Sequence, residues 1–223
     1  MRSRALCSFA FFVVSAFLLS ACATARVVSS EGGPTIKEAQ QQPYDGPKKR
    51  IAVTEFTFKA AKGSGSIGKG MSDMLTSALF NTNRFIVLER EHIGDVIKEQ
   101  DFGASGRVRQ ETAPPIGAIE GAQLLIRGAV TQFEENCAGG SALFLFSAKR
   151  ACIAINLRII DARTGRVVNA TTVEGTSSNV GAGIVFATDP LPVGLGGWKK
   201  TPMEKAIRNT IEAAVNHIVK TKL

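Results

Sequence analysis

The chain of 223 residues is poor in the side chains that most enzymes and metal sites use. It has two histidines, His92 and His217, and both lie far along the sequence from Cys137 and Cys152. A zinc site that combines histidine and cysteine ligands is therefore not expected. No serine or cysteine nucleophile has a histidine partner at a plausible spacing, so we predict a protein that is not an enzyme and binds no metal or cofactor.

Clustered positive charge is also scarce, although the net charge is +8. Short basic runs occur only at 48–50 and 199–200, and no basic stripe is interleaved with aromatic residues. An interface for nucleic acid is therefore not expected. The scattered positive excess instead favours solubility and attraction to an anionic cell envelope.

The apolar run at positions 6–19 is too short to span a bilayer as a helix. It follows Arg2 and Arg4, and two small residues lead from it to Cys22. This order resembles the lipobox of a bacterial lipoprotein signal peptide. The resemblance implies that residues 1–21 are removed and that acyl chains on Cys22 anchor the protein to a membrane. Because Ala23 rather than aspartate follows, it also implies the outer membrane.

Two further segments follow the predicted signal peptide. Residues 22–47 contain serine, glycine, glutamine and proline without an apolar period, so we predict a lipidated, flexible tether that is extended and mobile. Residues 48–223 are long enough to form one domain with a substantial core.

Hydrophobic periodicity predicts that this domain is α/β or α+β. The expected strands are 51–56, 84–88, 124–133, 153–162 and 166–174. The expected helices are 71–79, 89–100 and 203–219, with a loop over 59–69 and a short helical turn over 116–122. A turn at 161–165 places Gly165 in a left-handed conformation. Strand–helix alternation, then a strand meander and a final helix, is typical of this fold class.

Two cysteines remain in the mature chain, in a compartment that allows disulfides. Cys137 and Cys152 flank a stretch that is predicted to form a β-hairpin, so they could face each other across its arms. A bridge there would contribute roughly 3 kcal/mol in the chain-entropy model. The alternative is two independent buried thiols.

A glycine pattern over 63–68 fits GxGxxG, follows a predicted strand and opens a predicted helix. Glu89 lies about 20 residues further on, which satisfies the contextual tests for a dinucleotide site. As a P-loop the stretch fails, because Gly70 stands where a serine or threonine should bind magnesium. Since nucleotides are scarce outside the cytoplasm, we interpret the pattern as a flexible connection, with nucleotide binding as the alternative.

Three ordered segments carry a family resemblance. They are RFIVLEREHIGDVIKEQ (84–100), IEGAQLLIRGAVTQFEEN (119–136) and IAINLRIIDARTGRVV (153–168). Together with the lipobox they resemble the CsgG/HfaB family of outer-membrane lipoproteins, which act in curli secretion and holdfast anchoring. The resemblance covers 48–223 and implies a periplasmic α/β domain that forms a ring. It further implies two β-hairpins from each copy in a shared transmembrane barrel.

Two stretches lie where those hairpins belong. In the second, apolar residues alternate with small ones around a turn, as in a barrel wall, and a tryptophan follows near the expected membrane interface. These residues are Val180, Ala182, Ile184, Phe186, Leu191, Val193, Leu195 and Trp198. The alternative is a glycine-rich surface loop. The first stretch, 138–151, holds only about seven residues in each arm, fewer than the roughly 9–11 that a spanning strand needs.

The resemblance implies an oligomeric ring or pore that secretes, assembles or anchors extracellular fibres or adhesins together with accessory secretion proteins. The loop over 59–69 has no tyrosine or asparagine, so it departs from the longer constriction loop of the secretion channel, and no constriction residues are carried over. The alternative is a monomeric periplasmic lipoprotein that acts as a binding module, such as an activator of a cell-wall synthase.

Overall fold

A computed structural model describes residues 24–27, 44, 46–137, 150–178 and 201–221. Among them are seven strands and three helices. The strands are β1 (Thr24–Val27), β2 (Lys49–Val53), β3 (Thr57–Phe58), β4 (Phe85–Leu88), β5 (Leu124–Glu134), β6 (Arg150–Asp161) and β7 (Val167–Ser178). The helices are α1 (Gly65–Asn81), α2 (Ile93–Ala104) and α3 (Pro202–Lys220).

The strands form one mixed sheet in the order β1-β7-β6-β5-β2-β4, with β3 paired to β5. β2 is parallel to both β4 and β5, and the connections between these strands run through α1 and α2. β5, β6, β7 and β1 pair antiparallel. Parallel neighbours need long crossover connections, whereas antiparallel ones can be joined by tight turns. The result is the predicted α+β fold.

The hydrophobic core lies on one face of the sheet, where α1 and α3 pack side by side. Apolar residues of both helices alternate with the spacing of an amphipathic helix, and every second residue of β5 and β6 points toward them. The largest fully buried side chains include Met71, Leu75, Ile126, Ile155 and Met203. None of the three described helices is long and apolar enough to cross a membrane.

Glycines allow three close approaches inside this core. The ring of Phe56 lies over Gly128 of β5, where any Cβ would collide with the ring. A Cβ at Gly68 of α1 would collide with the carbonyl oxygen of Phe56. At Gly175 of β7, a Cβ would lie 2.7 Å from the carbonyl oxygen of Ala206 in α3. Gly175 sets how closely α3 approaches β7, and Gly68 sets how closely α1 approaches the connection between β2 and β3.

Several predicted boundaries differ from the structure. Helix α1 begins at Gly65, inside the predicted loop, because the hydroxyl of Ser64 accepts a hydrogen bond from the Ser66 backbone N–H at 3.2 Å and caps it. Helix α2 begins four residues later than predicted, since a Glu89 carboxylate oxygen accepts from the backbone N–H groups of residues 91 and 92 in a turn. The prediction of a helical turn over 116–122 was wrong, because the structure has no helix there. The prediction that Gly165 adopts a left-handed conformation is confirmed, with φ +70°.

Strand β1 contradicts the prediction of a mobile tether throughout 22–47. Its residues Thr24–Val27 pair antiparallel with β7, so that Thr24 lies opposite Thr176 and Val27 opposite Val173. Sequence periodicity missed this strand because a four-residue edge strand is held largely by backbone hydrogen bonds, which leave little signature in side chains. The first described strand therefore begins two positions after the predicted lipidation site.

Candidate functional site at one end of the sheet

Cys137 and Cys152 form a disulfide bond, with their Cα atoms 5.8 Å apart. Cys152 lies opposite Glu134 in the β5–β6 ladder, and the Cys137 backbone N–H donates to the carbonyl oxygen of Arg150 at 2.9 Å. Residues 135 and 136 form a turn between the end of β5 and the bridge. The disulfide thus ties β5 to β6 where the segment 138–149, outside the described residues, leaves and rejoins the sheet.

A second segment leaves the sheet close by, after Ser178 at the end of β7. Ser178 lies opposite Arg150, the first residue of β6. Helix α3 runs antiparallel to β7, because its residue Ala206 approaches Gly175 while its later residue His217 hydrogen-bonds Asn169 at 3.0 Å between Nε2 and Oδ1. The start of α3 therefore returns to the same end of the sheet as the end of β7.

The N-terminal strand begins at this end as well, since Thr24 lies opposite Thr176 near the end of β7. We call this the insertion end, defined by Thr24, Glu134, Arg150 and Ser178. The order of strands places all four on neighbouring strands of the sheet. The predicted lipidation site precedes Thr24 by two residues, and both candidate hairpin segments connect here.

Several predicted site residues lie outside the described residues. They are Cys22, Val180, Ala182, Ile184, Phe186, Leu191, Val193, Leu195 and Trp198. The described residues that flank these segments lie at the insertion end, and the roles of the named residues remain predictions.

The GxGxxG pattern over 63–68 has explanations in packing. Gly68 is required by the carbonyl of Phe56, and Gly63 has φ +113°, which side chains rarely adopt. The N-terminus of α1, where a phosphate would bind, is capped by Ser64. The pattern therefore serves the packing of α1 against the sheet.

A polar cleft of about 300 Å³ lies between α1 and the turn that follows β4. Lys69 Nζ is 3.2 Å from Glu91 Oε1, and the Ser72 hydroxyl donates to Glu91 Oε2 at 3.3 Å. Partial burial, and then the hydrogen bond and negative charge of Glu91, raise the pKa of Asp73, although its side chain remains accessible to solvent. The hydrogen bond and charge of Glu91 also raise the pKa of Lys69.

This cleft lies between α1 and the turn that precedes α2, and it was not predicted from the sequence. Lys69 and Asp73 are four residues apart and share one helix face, but nothing in the sequence indicates which distant carboxylate meets them. Within the described ranges, no group of three or more His, Cys, Asp or Glu side chains is arranged to hold a metal ion.

Comparisons with known proteins give the chain a family. The family described as "Curli production assembly/transport component CsgG" matches residues 33–223. The protein of that name from Escherichia coli strain K12 is 23% identical over 240 residues, which cover 94% of this chain and 86% of the relative. The protein from Salmonella typhimurium strain LT2 is also 23% identical, over 93% of this chain and 86% of the relative.

Among solved structures, the PelC dodecamer from Paraburkholderia phytofirmans is similar at 14% identity and a TM-score of 0.42, over 91% of this chain and 100% of that chain. That likeness is too remote to indicate a function. The family match, in contrast, extends from residue 33 through the entire sheet beyond β1 and through all three helices. This protein belongs to the CsgG family.

Proposed function

We propose that this protein is an outer-membrane lipoprotein of the CsgG type, with its domain in the periplasm, whose copies form a ring that secretes or anchors extracellular fibre or adhesin subunits. Its relatives are named as curli assembly/transport components. The observation that carries the proposal is the insertion end, where the predicted lipidation site and both candidate hairpin segments meet. The mechanism would be passive, with no covalent chemistry.

The short distance between the predicted anchor and the sheet supports this orientation. Only Ala23 lies between Cys22 and the start of β1, and two residue steps of extended chain span at most ~7 Å. Acyl chains on Cys22 would therefore hold the insertion end against the bilayer rather than at the end of a long tether. A long tether would suit a monomeric binding module that reaches away from the membrane, and a short link does not favour that alternative.

Segment lengths favour the second hairpin as the contribution to a barrel. The segment 179–200 provides about 11 residues for each arm, which matches the roughly 9–11 of a spanning strand. The segment 138–149 provides about six for each arm, too few for the same thickness. Its second arm could reach the required length only by including residues of β6 up to Ile155. Ile155 is completely buried in the core of the domain, so it is not available to a membrane strand. We therefore propose one spanning hairpin per copy.

A pair of neighbouring substitutions tests the barrel. Ile184 belongs to the apolar face of the predicted hairpin and Val185 to the opposite, lumen face. Arginine on the lipid face costs about 2–4 kcal/mol near the bilayer centre, whereas lumen positions tolerate charge. Ile184→Arg should prevent assembly of a large ring in mild detergent, and Val185→Arg should preserve the ring while changing its conductance.

Native mass by light scattering provides the measurement, with Cys22→Ser as the test of anchoring. A wild-type ring, lost in Ile184→Arg and kept in Val185→Arg, would support the proposal. A wild-type monomer would overturn the ring, and equal tolerance of both arginines would overturn the hairpin. Retention of Cys22→Ser in the membrane fraction would remove the lipid anchor.

A further inference from the structure

Helix α2 has an apolar stripe that the described residues leave partly exposed. Val96 and Ile97 are 42% and 45% exposed, and Gly103, which packs against Ala113 and Pro114, is the helix's only buried residue. An isolated helix of this length is marginally stable in water, because most helices in proteins are stabilised by packing their apolar face. The stripe therefore has the character of a surface that another molecule covers.

Two carboxylates flank this stripe. With 3.6 residues per turn, Glu99 and Asp101 lie on either side of it. Both are exposed, and neither makes a hydrogen bond or ion pair within the part of the chain that the structure describes. Asp95, on the far side of the helix, is instead paired with Lys98 at 3.0 Å. The stripe thus carries two carboxylates that are available to a partner.

A matching surface exists on the open face of the sheet, opposite α1 and α3. Arg127 of β5 and Arg158 of β6 are directly opposite each other in the antiparallel ladder and are both exposed. Like charges in such a pair destabilise a sheet. Neither arginine has a hydrogen-bond or ion-pair partner among the described residues. Their apolar neighbours on this face include Leu125 and Ala129, which are half-buried.

We propose that α2 of one copy docks on the open sheet face of the next copy, with Glu99 and Asp101 pairing with Arg127 and Arg158. This contact rests on the proposed function, because it specifies which surfaces join the copies of the proposed ring. Two complementary surfaces on one chain form a head-to-tail contact, which closes into a ring when the rotation between copies allows it. Exposed apolar residues in the centre and paired charges at the border are typical of protein interfaces.

Charge reversal tests this contact on the full lipidated chain in mild detergent. Arg127→Glu/Arg158→Glu should reduce the ring fraction at least tenfold, and so should Glu99→Arg/Asp101→Arg. The protein with all four substitutions should recover the ring, because every pair is restored with opposite sign. Asp95→Arg, on the far side of α2, should keep the wild-type ring.

Circular dichroism of each variant establishes that the domain remains folded. A ring that persists in either double variant would overturn the contact while leaving the proposed function intact. Loss of the ring in both double variants without recovery in the combined one would overturn the pairing of these surfaces. A wild-type protein that forms no ring would overturn both proposals.

Discussion

Removal of the disulfide at the insertion end should have a large and calculable effect on stability. Cys137 and Cys152 are separated by 15 residues, and closing a loop of that length lowers the entropy of the unfolded chain by an amount worth about 3 kcal/mol. Their Cα separation of 5.8 Å is ordinary for a disulfide. Cys137→Ser/Cys152→Ser should therefore lower the free energy of unfolding by about 3 kcal/mol and the thermal midpoint by roughly 6–12 °C.

The assay is thermal unfolding followed by circular dichroism, with and without a reducing agent. Reduction should bring the wild-type midpoint down to that of the double serine variant and should leave the variant unchanged. The agreement of these two values separates the covalent link from the loss of thiol packing. An unchanged midpoint in the double serine variant, or equal sensitivity of both proteins to reductant, would refute the loop-closure argument.

Three further substitutions test the core and the titrating groups. Phe56→Ala should lower the free energy of unfolding by about 3–5 kcal/mol because Phe56 is 2% exposed. Phe80 is 67% exposed, so Phe80→Ala should change that free energy by no more than about 0.5 kcal/mol. Equal midpoints of the two variants in urea would contradict this. Burial, and then the charge of Lys220, lower the pKa of His217. Its neutral ring therefore stabilises the fold fully above pH 6.5, and this stabilisation is lost as the pH falls. In His217→Gln the thermal midpoint should fall less between neutral and acidic pH than in the wild-type protein. Partial burial, and then Glu91, raise the pKa of Asp73, so this residue stabilises the fold below pH 3.8 and the stabilisation is lost as the pH rises. Asp73→Asn should therefore raise the thermal midpoint at pH 7. An equal increase of the thermal midpoint at pH 3.5 would contradict this explanation.

Periodicity in the sequence identified most of the core correctly but not what lies outside it. The helix predicted over 203–219 is observed as α3, and its apolar residues Ile207, Ile211 and Ile218 are buried because they pack within the same chain. The helix predicted over 89–100 from the same periodicity is observed as α2, yet its apolar residues Val96 and Ile97 are exposed. A 3.6-residue period reports which side of a helix is apolar and carries no information about the molecule that covers it.

Cross-strand pairs were beyond sequence reasoning for a different reason. Arg127 and Arg158 are separated by 31 positions, and their meeting depends on the register of β5 against β6, which includes a shift near Val130. A one-residue change of register would move one arginine to the buried face. Turn chemistry near Gly165 predicted only that neighbouring strands reverse, so the pair could be recognised only from the completed sheet.

The geometry of the sheet links the proposed anchor to the proposed contact between copies. If Cys22 and the segment 179–200 hold the insertion end at the bilayer, the strands extend away from the membrane, because both connect to strand ends. Neighbours within the plane of the membrane can then meet only through the lateral surfaces of the domain, which are the sheet edges, the helix layer and the open face. Since α1 and α3 already cover one face, the open face with Arg127 and Arg158 remains available to a neighbour. If α2 docks on that face of the next copy, a ring parallel to the membrane follows from the two proposals together.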